Sequence, residues 1–320
     1  MNPILESIKP VVENSKHVKV NISKIEELAK KLSDFDFPVQ KYDFYPKMNS
    51  DDIIQFTFIL NSINFQYNEF EPPFTKFEID YKGQKCGGFF SLAYSLRMAI
   101  EEGIPVLDAN YLSNISEDEA LKFLKKNITI PMLDERIKIL REIGTVLTKK
   151  YNGKFSNFLK LSNKAFDNGK GLVERLVIDF PSFNDVRTYK PTNTVVKFYK
   201  RAQLLLASLH YNPDSGFKLK DIGELTIFVD YRIPVALRDL GIFEYTKELT
   251  EKIDNFVMIP EGSDEEVEIR ANAIYASDLL CREVNKHRKD KIIPANIDEY
   301  LWLEGKKSKK PRHFTRTIFY

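Results

Sequence analysis

The chain has 320 residues, 43% hydrophobic and 29% charged, which excludes a disordered chain and allows a sizeable core. Its net charge of +2 is too small for the strong basic footprint of a nucleic-acid binder. Two lone cysteines, Cys86 and Cys281, argue for a reducing compartment and against a disulfide scaffold.

The expected elements are mostly helical. Ile22–Leu32 is amphipathic, with Ser23 as an early cap. Ser50-Asp51-Asp52 opens an apolar segment running to Phe65. Phe74–Tyr81 reads as a strand, because Phe77, Ile79 and Tyr81 alternate with polar residues before Lys82-Gly83. A further apolar segment, Phe89–Ile100, follows Gly87-Gly88 and stops at Gly103. Ser116 with Glu119 forms a capping box ahead of a helix through Lys125. Asp134–Lys149 is a long helix, and Thr194 is placed as the cap of another that begins at Val195. A helix from Pro234 ends at Gly241. Ser263 with Glu266 opens a helix to about His287, and a last helix spans Ile297–Leu303. Connections are short and no linker composition occurs. The expectation is a mainly α multi-helix globule with a small β element, either a single unit over 1–320 or two closely packed helical lobes.

Several chemistries lose support. The histidines His17, His210, His287 and His313 show no metal-ligand spacing, so no metal is expected, and no Gly-x-Gly-x-x-Gly of a dinucleotide cofactor occurs. Asn168-Gly169-Lys170-Gly171 lacks the earlier glycine and the Ser/Thr of a Walker loop, and no Gly-x-Ser-x-Gly elbow occurs. The basic run Lys306, Lys307, Lys309, Lys310, Arg312 reads as a solvated tail. The first residues lack the apolar core of a signal peptide, and no apolar run approaches roughly 18 residues; the expected location is cytoplasmic, away from membranes.

Two charged residues stand out. Read as one helix, 195–209 carries an apolar stripe at 195, 198, 199, 202, 205, 206 and 209. Lys200 lies opposite, among Val196, Leu204 and Ala207. Such a lysine must snorkel, pair with an acid or face a cavity. Asp230 is a single charge within Leu225–Pro234, just before a helix start and beside Tyr231 and Arg232. It is either a helix cap, a partner of Arg232, or a carboxylate held in an apolar wall. In the last role it suits glycosidic cleavage, where a carboxylate stabilises the cationic C1′ and guides water. The 12% aromatic content serves a ring-rich core or a stacking slot for a flat base.

Many blocks resemble the queuosine-salvage family in one order. They include Leu60-Asn-Ser-Ile-Asn-Phe65, Gly87-Gly-Phe-Phe-Ser-Leu92, Pro181-Ser-Phe-Asn-Asp185, Phe198-Tyr-Lys-Arg-Ala-Gln203 and Phe228-Val-Asp-Tyr-Arg-Ile-Pro234. Glu266-Val-Glu-Ile-Arg-Ala271, Tyr300-Leu-Trp302 and His313-Phe-Thr-Arg-Thr-Ile-Phe-Tyr320 complete the series. The resemblance spans roughly residues 10–320.

It implies a fold similar to helix-hairpin-helix DNA glycosylases and a hydrolase, without metal or redox cofactor, freeing queuine from queuosine 5′-monophosphate. Asp230 is then the carboxylate at the ribosyl cation and Lys200 its basic partner. Phe217, Asp221, Asp298 and Tyr300 become candidates for the base pocket. Tyr231, Arg232 and His17 are candidates for the remaining substrate contacts, the last two at the phosphate or sugar. The expected partner is this nucleotide, with no nucleic acid, and the expected state is a monomer. His210 and Leu303 depart from the pattern: tryptophan is usual at the first position and an acid at the second. A deazapurine base also lacks the ring nitrogen that purine glycosidases protonate, so another acid must assist its departure. A nucleic-acid glycosylase and a non-catalytic helical module, with Lys200 and Asp230 a buried structural pair, stand as the alternatives.

Overall fold

A computed structural model describes residues 2–38 and 43–320. The described chain begins with α1 (Pro3–Asn14), β1 (Val18–Val20), α2 (Ile22–Lys31) and α3 (Ser50–Ser62). The hairpin β2 (Glu78–Tyr81) and β3 (Gln84–Gly87) leads to α4 (Phe89–Glu101), α5 (Ala109–Asn114), α6 (Glu117–Leu124), α7 (Leu133–Tyr151), α8 (Phe155–Leu159) and α9 (Leu172–Asp179). Then come β4 (Val186–Tyr189), β5 (Thr194–Lys197), α10 (Lys200–Tyr211), α11 (Arg232–Asp239), β6 (Phe243–Tyr245), α12 (Lys247–Asp254), α13 (Asp264–Lys286) and α14 (Pro294–Lys307). The fold is mainly α with small antiparallel strand pairs, as expected. Among the described residues no helix is long and apolar enough to cross a membrane.

The chain divides into two compact units. The first comprises Met1–Gln40, Asp185–Gln203 and Gly223–Arg316. Its axis is α13, where Val267, Ile269, Ala271, Ala273, Ile274, Ala276 and Leu280 are all buried. A helix buried on every side must be surrounded; α1, α2, α11 and α14 pack on it, along with β1 and β4. Strand β1 pairs with β6 (Val18↔Tyr245), and β4 with β5 (Val186↔Lys197).

The second unit comprises Lys41–Asn184, Leu204–Ile222 and Thr317–Tyr320. Its core is aromatic: Phe58 stacks on Phe155 at 3.9 Å, with Phe158, Phe180 and Phe183 around them. Arg136 is fully buried, and its guanidinium donates to the carbonyls of Ile63, Phe65, Gln66 and Pro131. Helices α5 and α7 touch at Gly144, where a Cβ would stand 2.4 Å from Ser113 N.

Several boundaries depart from expectation. No helix begins at Val195: residues 194–197 form β5, and the helix starts at Lys200. Thr194 is therefore a strand residue, and Val196 is not a helical neighbour of Lys200. The β-branched pair Val195-Val196 suits a hairpin, and Tyr199, at φ 50°, interrupts any continuous helix. Asn21, rather than Ser23, caps α2, and α3 opens at Ser50 as expected, with Asn49 as its cap. The expected strand Phe74–Tyr81 shortens to Glu78–Tyr81, and Lys82-Gly83 forms a two-residue turn with positive φ at both positions into an unforeseen partner, β3. Ser263 caps α13 as expected, but Glu266 reaches back to Gly262 N rather than to Ser263. The last helix is longer than expected at both ends.

Candidate active site

The first unit brings Lys200, Asp230 and Asp298 into electrostatic reach of one another. Each is fixed by its own local structure. Lys200 follows the β4–β5 hairpin, where Phe198 N donates to Asp185 O at 2.9 Å and Tyr199 turns into the left-handed region. Beneath it lies a buried ion cluster. Arg270 grips the Asp185 carboxylate with both terminal nitrogens, at 3.0 and 2.5 Å, and Glu266 at 3.2 Å. Its guanidinium lies 3.9 Å from the centre of the Phe198 ring.

Lys200 is 5% exposed, so it does not snorkel to open surface. Burial pushes its amine below the ordinary value; the Asp230 charge opposes this, whereas Arg201 and Arg270 add to it. Among the described residues no carboxylate forms a salt bridge with Lys200 and no acceptor takes a hydrogen bond from it.

Asp230 ends the buried run Leu225–Val229. Gln203, one turn after Lys200, clamps that run: Thr226 N donates to Gln203 Oε1 at 2.9 Å, and Gln203 Nε2 donates to Thr226 Oγ1 at 3.0 Å. The clamp ties the Lys200 helix to the Asp230 segment. Asp230 Oδ1 accepts from Arg232 N at 2.6 Å, capping α11 in practice, and its second oxygen has no hydrogen-bond partner among the described residues. The bond made by Oδ1 is the one that the helix-start reading expects. Pairing with Arg232 is not seen: that guanidinium donates to Gly305 O at 3.3 Å.

Asp298, on α14, returns to the same run, its Oδ1 accepting from Phe228 N at 2.7 Å. Burial, then the charges of Asp230 and Glu299, push its carboxyl up to about 8, against the Phe228 N–H and Lys200. Helices α11 and α14 approach closely at Gly305, where a Cβ would meet Arg232 O at 2.4 Å.

Other expected residues sit differently. Tyr231 lies under the Arg312 guanidinium at 4.0 Å, with Arg232 at 5.5 Å. Tyr300 packs edge-on against Phe35 and Phe37; two residues from Asp298, it points roughly 200° around α14. His17 lines a separate cleft of about 570 Å³ with Lys16, Lys19, Tyr245, Asn272 and Tyr275, which none of Lys200, Asp230 and Asp298 lines. Phe217 and Asp221 belong to the second unit. There the Asp221 carboxylate accepts from Ala165 N at 2.7 Å and Phe166 N at 3.2 Å, and Phe217 N donates to Ser215 Oγ.

Sequence reasoning overlooked Gln203, Arg270, Asp185 and Glu299 as parts of this neighbourhood. The first three lie in blocks that carried the family resemblance, but nothing in their spacing reveals that they meet. Glu299 has one buried oxygen without a hydrogen-bond partner among the described residues, and burial pushes its carboxyl up to about 7. Among the described residues no three His, Cys, Asp or Glu side chains stand together as a metal set.

Residues 44–320 match the family model described as queuosine salvage protein. The chain belongs to that family. A Sphaerobacter thermophilus relative named queuosine 5′-phosphate N-glycosylase/hydrolase is 34% identical, over 99% of this chain and 97% of its own length. Relatives of the same name from Bos taurus and Nematostella vectensis are 29% and 32% identical. They cover 98% and 87% of this chain, and 98% and 85% of their own lengths.

Proposed function

We propose that this protein hydrolyses the N-glycosidic bond of queuosine 5′-monophosphate, releasing queuine. The relatives' shared name supports the substrate and the reaction class. One observation supports the site: Asp230 and Lys200 are held in each other's field on two segments that Gln203 ties together, each with a polar atom not committed to the protein.

The roles follow from the charge that develops. As the base departs, C1′ becomes oxocarbenium-like, and a fixed carboxylate beside it lowers the barrier without having to reorganise. Asp230 serves this role through its second oxygen, since the first is occupied by Arg232 N. The same oxygen orients the attacking water. Lys200 balances the negative charge of Asp230 in surroundings where few water molecules can do so. Asp298 joins the wall around the base.

The test is incubation with queuosine 5′-monophosphate, followed by chromatography for free queuine and ribose 5-phosphate. Wild type is expected to release base. Asp230→Ala is expected to release none while still unfolding cooperatively, its melting temperature lowered only by the lost bond to Arg232 N, about 0.5–2 kcal/mol. Absence of release from wild type overturns the reading, as does full activity in Asp230→Ala.

A further inference from the structure

Glycosidic cleavage leaves an electron pair on the departing base, and the reading above gives Asp230 and Lys200 only to the sugar side. We propose that Asp298 is the general acid that protonates the leaving base. This rests on the hydrolase reading and adds to it the residue that makes the base a good leaving group.

The geometry supports the assignment first. Asp298 Oδ1 is locked by Phe228 N at 2.7 Å, two residues before Asp230. The carboxyls of Asp230 and Asp298 are therefore attached to one buried backbone run, itself clamped by Gln203. Each carboxyl has one oxygen taken by a backbone N–H. Each leaves the other without a protein partner among the described residues, and neither free oxygen is sealed from solvent. Two carboxyls arranged in this way can act on two sides of one bond.

The electrostatics then separate their tasks. The charged groups acting on Asp298 are Asp230, Glu299 on its own helix, and Lys200 on α10. On the packed helices, Arg232 is turned to Gly305 O and Arg270 is held by Asp185 and Glu266. Burial and the two neighbouring acids outweigh Lys200, so at neutral pH the Asp298 carboxyl keeps its proton. A carboxylic acid beside a carboxylate is the division of labour that glycoside cleavage requires.

The step balances. The C1′–N bond breaks and its electron pair goes to the base, which takes the proton from Asp298. Water adds to C1′ beside Asp230 and gives up one proton, which restores the acid form of Asp298 through Asp230 or solvent. The products are the base, protonated at the nitrogen that left C1′, and ribose 5-phosphate.

Leaving-group dependence tests this. Wild type, Asp298→Asn and Asp230→Asn are assayed with queuosine 5′-monophosphate and with para-nitrophenyl riboside 5′-phosphate, whose phenolate leaves without a proton. Asp298→Asn keeps an acceptor for Phe228 N, so its melting temperature should match wild type. It is expected to lose about 10²- to 10⁴-fold in kcat on the nucleotide, and to stay within about threefold on the aryl glycoside, because general-acid help matters only for poor leaving groups. Asp230→Asn should lose both activities. Wild-type kcat/KM on the nucleotide should fall above about pH 8, with no such limb in Asp298→Asn. Equal losses of Asp298→Asn on both substrates overturn the proposal, as does retained nucleotide cleavage. If wild type ignores the aryl glycoside, the pH profile decides, and a missing alkaline limb overturns it. Failure of wild type to release queuine instead overturns the hydrolase reading itself.

Discussion

Replacing Arg270 with methionine should be among the most damaging single changes in the first unit. Arg270 and Asp185 are each 1% exposed and Glu266 is 0% exposed. Removing the guanidinium strands two carboxylates where water cannot reach them. Breaking a buried ion pair from one side typically costs about 3–5 kcal/mol. The contact with Phe198 at 3.9 Å is lost as a cation–π interaction, worth about 2 kcal/mol when desolvated, although the methionine stem restores part of the packing. A net loss of about 4 kcal/mol is a large share of ordinary domain stability and corresponds to a melting temperature lowered by roughly 8–16 °C. Circular dichroism melts of wild type, R270M, D185N and the double variant provide the assay. The double variant should be more stable than the sum of the two single losses, by about 0.5–3 kcal/mol, because neutralising Asp185 removes one stranded charge. A melting point of R270M within 2 °C of wild type (about 1 kcal/mol), or strict additivity, would refute the view that this cluster holds the Lys200 turn in place.

Lys200→Met is expected to raise the melting temperature. Burial lowers the Lys200 value from 10.5, so between its folded value and 10.5 the unfolded chain binds more protons and wild-type stability climbs with pH. The gap should therefore be full below the folded value and close towards pH 10.5; a less stable variant at pH 7 contradicts this. Gly305→Ala places a methyl 2.4 Å from Arg232 O, which should cost about 1–3 kcal/mol and slow base release by shifting α14, with its Asp298, against α11. Unchanged melting and turnover would show that the helices separate freely. Glu268 accepts from Lys16 N, His17 N and Val18 N through one oxygen. Glu268→Gln should weaken this grip by about 1.5–3 kcal/mol and speed amide exchange at residues 16–18; unaltered exchange rates argue against it.

Much of the helical layout was legible because helices carry a local period. The capping box at Ser116–Glu119 and the α7 pattern depend on residues within a turn or two of each other. Short elements are not legible in this way: Thr194–Lys197, with only two apolar residues, fits either period, and the deciding partner, β4, is not visible in the segment itself. The unusual placement of Lys200 and Asp230 was also legible, since a charge inside an apolar run is costly wherever the chain folds.

What those charges do depends on long-range neighbours. Asp298 was a wall candidate on resemblance alone; its acidity arises from burial and from Asp230, 68 positions earlier, and it is anchored by Phe228 N, 70 positions away. Composition and periodicity determined a mainly helical chain with two misplaced charges, because propensity and burial cost act locally. Only the tertiary structure decided that Gln203, Phe228 and Arg270 hold those charges with a third acid, because hydrogen bonds and Coulomb fields depend on distance in space, not along the chain.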